Sequence, residues 1–276
     1  MIRQLARAKI NLGLKILDKR PDGYHSIETT FSSISLSDAV TLEDRGTSVE
    51  ISCPGVDVPV EENLAYRAAV LLRDQCSVSQ GCLITIDKKI PIGGGLAGGS
   101  ADAAAVMKGL NELWRLGLPD EQLMKMGRVL GCDVPFLIKG GAAYARGTGE
   151  ELKFFSLPHM ELVIYYPGYP ISTKWAYEAF DNKVLTPVPD LDIISGKKKK
   201  PMRTGMMMGN DFEPVIFQRY PDLLDVKSHL LATGALLVSL SGSGSCIYAT
   251  VDENSRKKVI KYLTGIGATY FEAVTV

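Results

Sequence analysis

Neither sign of charge is in excess: 31 lysines and arginines stand against 31 aspartates and glutamates in a chain of 276 residues. The balance removes the electrostatic footprint of a nucleic-acid-binding or membrane-surface protein, while leaving room for a local basic pocket. Cysteine pairs at C-x-x-C spacing are also missing. Cys53, Cys76, Cys82, Cys132 and Cys246 are scattered and odd in number, so neither a disulfide framework nor a zinc site follows. Thiols in a reducing compartment are expected instead. No apolar run is long enough to cross a bilayer. Arg3, Arg7 and Lys9 near the start are not followed by the apolar stretch of a signal peptide. A cytoplasmic protein is therefore expected, and no internal repeat is apparent.

What is present is the composition of a globular enzyme, 46% apolar and 22% charged, at a length sufficient for two modest domains with buried cores. Residues 8–16 alternate, with Ala8, Ile10, Leu12, Leu14 and Ile16 on one side and Lys9, Asn11, Gly13 and Lys15 on the other. This predicts a half-buried strand. Arg20-Pro21-Asp22-Gly23 predicts a turn, and residues 27–42 further strand. Asn63 caps a predicted helix through Gln75. Residues 82–86 predict a strand, 103–116 and 119–130 helices that stop near Gly117 and Gly131, and 134–138 a return to strand. Helices among strands, with few βαβ alternations, indicate an α+β fold.

The second half predicts strands at 162–166, 236–240, 246–251 and 268–274. Helices are predicted at 210–232, broken at Pro221, and at 254–263. That order, β-α-β-β-α-β, is the split βαβ of a ferredoxin-like sandwich. The boundary is placed near 149–158, dividing residues 1–152 from residues 153–276. The lysine run 197–200 and the methionines 206–208 read as a solvated loop.

The richest local signal is Pro91, Ile92, Gly93, Gly94, Gly95, Leu96, Ala97, Gly98, Gly99, Ser100 and Ala101. Glycine permits positive φ and close approach of backbone N–H groups, and a helix beginning after such a loop offers unpaired donors to an anion. The Walker pattern is absent, because no Lys-Ser or Lys-Thr follows. Gly93, Gly95 and Gly98 satisfy G-x-G-x-x-G, but Asp120 and Glu121 open a helix where a dinucleotide fold needs an acidic residue ending a strand. That context argues against a dehydrogenase.

The loop resembles the central ATP-binding motif of the GHMP kinase superfamily. Ala8-Lys9-Ile10-Asn11-Leu12 and Ser241-Gly242-Ser243-Gly244-Ser245 resemble that superfamily's other two motifs. Three further stretches narrow the resemblance: Arg20 to His25 (RPDGYH), Gly131-Cys132-Asp133-Val134-Pro135 and Asn210-Asp211-Phe212-Glu213-Pro214. They are similar to the branch that acts on 4-diphosphocytidyl-2-C-methyl-D-erythritol in the non-mevalonate route to isoprenoids. The resemblance spans essentially the whole chain.

It implies a two-domain GHMP-kinase architecture, with an N-terminal α+β nucleotide-binding domain and a C-terminal ferredoxin-like domain. It implies transfer of the ATP γ-phosphoryl group to the 2-hydroxyl of the erythritol moiety, with Mg²⁺. Asp133 matches the catalytic base and Lys9 its partner, while residues 91–101 match the ATP loop. Tyr24, His25, Phe31 and Tyr177 match the cytidine end, and Asn11 the methylerythritol or phosphate part. Phosphoryl transfer needs positioning and charge neutralisation, which a carboxylate and a cation in one cleft supply. Read singly, Lys9 is more often a solvated strand lysine and Asp133 a turn or cap residue. The related loop Gly-Gly-Ser-Ser-Asp-Ala has a hydroxyl where this chain has Ala101, so no protein ligand of the metal is assigned. The partner implied is a small molecule carrying a cytidine diphosphate, with no nucleic acid or membrane, in a monomer or weak homodimer. Two alternatives stay open: another GHMP kinase of the homoserine or mevalonate type, and a non-catalytic nucleotide-binding module.

Overall fold

The alternation seen at residues 8–16 extends in both directions into a long antiparallel hairpin, β1 (Ile2–Lys19) and β2 (His25–Asp44). Its turn contains Gly23 at φ +85°, the left-handed region that glycine enters without a Cβ penalty. The pairing is interrupted between Arg7 and Lys9 and again between Asn11 and Gly13. Bulges of this kind re-aim side chains, and these two bracket Lys9 and Asn11. The structure, a computed structural model, describes residues 1–182 and 209–276. The lysine run 197–200 and the methionines 206–208 lie outside the described residues.

The first half continues with β3 (Val49–Ser52), α1 (Leu64–Gln75), β4 (Cys82–Asp87), α2 (Gly98–Leu113), α3 (Asp120–Gly127) and α4 (Val134–Lys139). It closes with the hairpin β5 (Ala142–Arg146) and β6 (Glu151–Phe155). As expected, Asn63 caps α1, its side chain accepting from the Ala65 N–H at 2.9 Å. The second half holds β7 (Glu161–Tyr166), α5 (Thr173–Asp181), β8 (Gly209–Asn210), α6 (Glu213–Arg219), α7 (Pro221–Ala232), β9 (Leu237–Leu240), β10 (Ile247–Val251), α8 (Glu253–Gly265) and β11 (Thr269–Val274).

One sheet runs β3-β4-β2-β1-β8, with β5 also on β2 and β6 on β5; the other runs β11-β7-β10-β9. All neighbours in the second sheet are antiparallel, which is the ferredoxin-like order the sequence predicts. The expected division after residue 152 falls inside β6, whose whole length pairs with β5; β6 stays with the first sheet.

Two local expectations are corrected. Residues 134–138 form helix α4 rather than a strand. A short apolar run does not distinguish a buried strand from a buried helix. Pro135 in the first turn decides for the helix, because its missing N–H is lost at no cost there. The helix after the glycine loop begins at Gly98, not near residue 103. Ala97 adopts a left-handed conformation (φ 57°) just before it, so the last two glycines of the loop are already its first turn.

The two halves share one interior. Ala8, Ile10 and Leu12 of β1 belong to the same apolar cluster as Leu162, Ile164, Cys246, Tyr248 and Ala273. Leu14, Ile16 and Ile27 belong to the cluster around α6 and α7. The fully buried Tyr248 donates its hydroxyl hydrogen to the Leu12 carbonyl at 3.1 Å. Strand β1 is thus fixed from both sides along the stretch that carries Lys9 and Asn11. Among the described residues, no helix is long and apolar enough to cross a membrane.

Candidate active site

A cleft of about 870 Å³ opens where β1, the glycine loop and the loop after β9 meet. Its walls include Lys9, Asn11, Tyr24, His25, Phe31, Asp133 and Tyr177, together with Pro91, Gly93 to Ser100, Gly242 and Ser243. Two of the sequence-predicted residues do not line it: Ile92 is exposed, and Ala101 packs into the core. A hydroxyl at position 101 would therefore face the interior, and it is Ser100 that carries one to the cleft.

The glycine loop is held by its neighbours. The carbonyl of Gly94 accepts from the Cys246 N–H (3.1 Å), that of Gly95 from the Ser241 hydroxyl (2.9 Å), and that of Leu96 from the Lys9 N–H (3.1 Å). A Cβ on Gly95 would stand 2.0 Å from the Ser241 carbonyl oxygen, and this residue also has φ +77°. Glycine is required there for the contact between two loops as much as for a ligand's approach. The N-cap residue Ala97 makes no side-chain cap bond to α2, and Gly98, Gly99 and Ser100 of its first turn, where N–H groups go unpaired within a helix, line the cleft.

The Asn210-to-Pro214 motif works at one remove. Asn210 Nδ2 donates to the carbonyls of Leu240 (3.0 Å) and Gly242 (2.7 Å). Glu213 Oε1 accepts from the Leu240 N–H (3.1 Å) and the Ser239 hydroxyl (2.9 Å), and its other oxygen pairs with Lys227. The motif fastens the 241–245 loop that in turn holds the glycine loop. Only Phe212 of it reaches the cleft.

At the centre, the Lys9 ammonium donates to Asn11 Oδ1 at 2.6 Å and lies 3.9 Å from Asp133 Oδ2. It also stands 5.1 Å over the Phe31 ring. Asn11 Nδ2 donates to Thr29 Oγ1, which donates onward to the Gly13 carbonyl, so the amide is locked with its oxygen toward Lys9. Burial pushes the Lys9 ammonium below its ordinary value, and the Asp133 carboxylate offsets part of that. Asp133 sits at the N-cap of α4, between two helices rather than at the expected joint of helix and strand. Its side chain makes no capping bond and is 31% exposed. Its carboxylate lines the cleft, paired with Lys9.

At the other end, His25 stacks on Tyr177 with ring centroids 5.0 Å apart. Its Nε2–H donates to Asp181 Oδ1 at 2.7 Å, while Lys19 reaches Asp181 Oδ2 at 2.6 Å. Those two bonds, that of Lys19 foremost, hold the Asp181 carboxyl below its ordinary value. Tyr24 stands exposed on the rim. Sequence reasoning missed Lys19, Asp181, Thr148 and Thr173, all of which line the cleft. No motif marks them. Asp181 lies 156 residues from His25, and only the fold reveals the pair.

Residues 63–141 match the family profile described as GHMP kinases N terminal domain, and residues 197–268 match GHMP kinases C terminal. The 4-diphosphocytidyl-2-C-methyl-D-erythritol kinase of Chlorobium chlorochromatii (strain CaD3) is 43% identical over 88% of this chain and 86% of its own length. That of Pelotomaculum thermopropionicum is 40% identical over 94% and 92%. The chain belongs to the 4-diphosphocytidyl-2-C-methyl-D-erythritol kinase family. A crystal structure of 4-(cytidine 5'-diphospho)-2C-methyl-D-erythritol kinase superposes with a TM-score of 0.82 at 31% identity, covering 99% of both chains. Homoserine kinase from Cytophaga hutchinsonii, at 20% identity and a TM-score of 0.72, shares the fold. Membership in this kinase family accounts for the conjunction of a phosphate-type loop, a carboxylate–ammonium pair and an aromatic end in a single cleft.

Proposed function

We propose that this chain transfers the γ-phosphoryl group of ATP to the 2-hydroxyl of 4-diphosphocytidyl-2-C-methyl-D-erythritol. The observation that carries the reading is the Lys9–Asp133 pair, 3.9 Å apart, in one cleft with the amino end of α2 and the His25–Tyr177 stack. Phosphates seat on the backbone N–H groups at Gly98 to Ser100, where the helix dipole favours negative charge. Asp133 takes the proton of the attacking hydroxyl. Lys9 offsets the charge that develops on the transferring oxygens.

At the cytidine end, the Nε2–H of His25 is committed to Asp181, so its Nδ1 is left as an acceptor, suited to the amino group of cytosine. Tyr24 and Tyr177 supply flat walls for the base.

Mg²⁺ is expected to arrive with the ATP phosphates rather than in a protein cage. Among the described residues no group of three acidic, histidine or cysteine side chains gathers to hold a metal, and Mg²⁺ takes most of its shell from phosphates and water. The Ser100 hydroxyl would be the protein's contribution, and the ion would neutralise phosphate charge. We expect a monomer or weak homodimer in a reducing cytoplasm, where the five cysteines would remain thiols.

The reading is tested by ADP release with a panel of alcohols. Turnover is expected with the cytidine-diphosphate substrate and not with homoserine or mevalonate; the reverse pattern would move the chain to the homoserine or mevalonate type. For His25→Ala the KM for the cytidylyl substrate is expected to rise roughly tenfold while that for ATP stays put, the scale of losing a hydrogen bond and a stacking partner. An unchanged substrate KM would remove His25 from base recognition.

A further inference from the structure

A buried ion cluster lies directly behind the glycine loop and forms no part of the cleft. Lys88, next in the chain after β4, is 12% exposed in its side chain and bridges two carboxylates, Asp38 of β2 and Asp102 of α2. The Lys88–Asp102 contact is 2.7 Å and joins residues 14 apart, one before the loop and one after it. Asp38 is well satisfied, its other oxygen accepting from the N–H groups of Lys89 and Ile90. Asp102 is not. It is 5% exposed, and its Oδ1 has no hydrogen-bond partner among the described residues.

One cation serves two carboxylates, and it is Asp102 whose second oxygen goes without a partner among the described residues. A buried carboxylate with one oxygen unsatisfied is costly, and a core selected for stability alone would carry an apolar residue there. Costs of this kind collect where function needs them. What Asp102 provides is a tie. Through it the residues entering the loop, 88–90, are bound to the first turn of the helix whose amino end faces the cleft. The Lys88 ammonium lies close under that turn: a Cβ on Gly98 would stand 3.3 Å from it.

We propose that Asp102 and Lys88 are positioning residues for the nucleotide, their ion pair holding the two ends of the glycine loop in the phosphate-binding shape before ATP arrives. This rests on the reading that ATP binds at that loop. The two residues touch no ligand and act through the backbone of Gly98 to Ser100.

Asp102→Leu tests it, because the substitution leaves Lys88 and Asp38 as a balanced pair and removes the half-satisfied carboxylate. The KM for ATP, and the calorimetric Kd for a non-hydrolysable ATP analogue, are expected to rise about tenfold, a typical size for coupled neighbours. The kcat and the cytidylyl-substrate KM should stay within about twofold, and the Tm should hold or increase. Asp102→Asn keeps an oxygen toward Lys88 and should bind the analogue within about threefold of wild type. An unchanged analogue Kd in Asp102→Leu, whatever its Tm, overturns the proposal, and so does an equal rise in Asp102→Asn. If the wild-type enzyme itself failed to bind the analogue, the placing of ATP at the loop would be at fault rather than the tie.

Discussion

Asp133→Asn is expected to lower kcat by about 10²–10⁴-fold, the range that a positioned general base contributes, while the Kd for ATP stays within about threefold of wild type. The substitution keeps the shape of the side chain. It removes no capping bond, since the Asp133 carboxylate makes none to α4, and it lies outside the glycine loop. Fold and nucleotide site should both survive it. An amide cannot accept the hydroxyl proton, so the loss falls on the chemical step. A second consequence follows from the pair itself. The Asp133 charge holds the Lys9 ammonium up against burial, so its removal should move the alkaline limb of the kcat/KM profile to lower pH. Steady-state kinetics across pH, beside calorimetry with an ATP analogue, measures both effects. Near-normal turnover in Asp133→Asn would take the residue out of the base role.

Much of this site was legible because the chemistry-bearing residues fall in short local patterns. Lys9 and Asn11 alternate with apolar residues, and period two alone puts them on one face of a strand. The glycine loop announces itself by composition, and the order of elements in the second half suffices for the ferredoxin-like sheet. The misreadings are local as well. Val134-Pro135-Phe136-Leu137-Ile138 carries too few residues for a period, and in the structure four of its five side chains are buried, as a strand or helix alike could bury them. The start of α2 was hidden because Gly98 and Gly99, which open it after the left-handed Ala97, have poor helix propensity. The residues missed entirely are those joined across long separations. Asp181 meets His25, and Lys88 meets Asp38 and Asp102, through sheet register and helix placement that no single-sequence pattern encodes. The Asn210-to-Glu213 stretch was recognised by resemblance, but its physical task, clamping the 241–245 loop, needed the structure.

Lys9→Met carries the other large effect. Its kcat is expected to fall by about 10²–10³-fold, the cost of deleting one preorganised group that stabilises transition-state charge. The backbone should not follow the side chain: the Lys9 N–H is bonded to the Leu96 carbonyl, and its strand neighbours Ala8 and Ile10 are fully buried. Methionine fills the same space, and the change removes a buried ammonium whose desolvation is unfavourable, so the Tm should hold. That separates loss of charge from loss of fold. The wild-type pH profile supplies the independent check. Lys9 acts as a cation, and its acid form is lost as pH rises through its value, which burial has lowered from the usual lysine range. Activity must therefore decline on the alkaline side sooner than an exposed lysine would dictate. Bound phosphates favour the ammonium, so this decline should appear at lower pH in kcat/KM, which reports the free enzyme, than in kcat, which reports the complex. In Lys9→Met the alkaline limb should vanish from both. If the limb persisted unchanged in the variant, another group would own it, and Lys9 would be left with a positioning role beside Asn11.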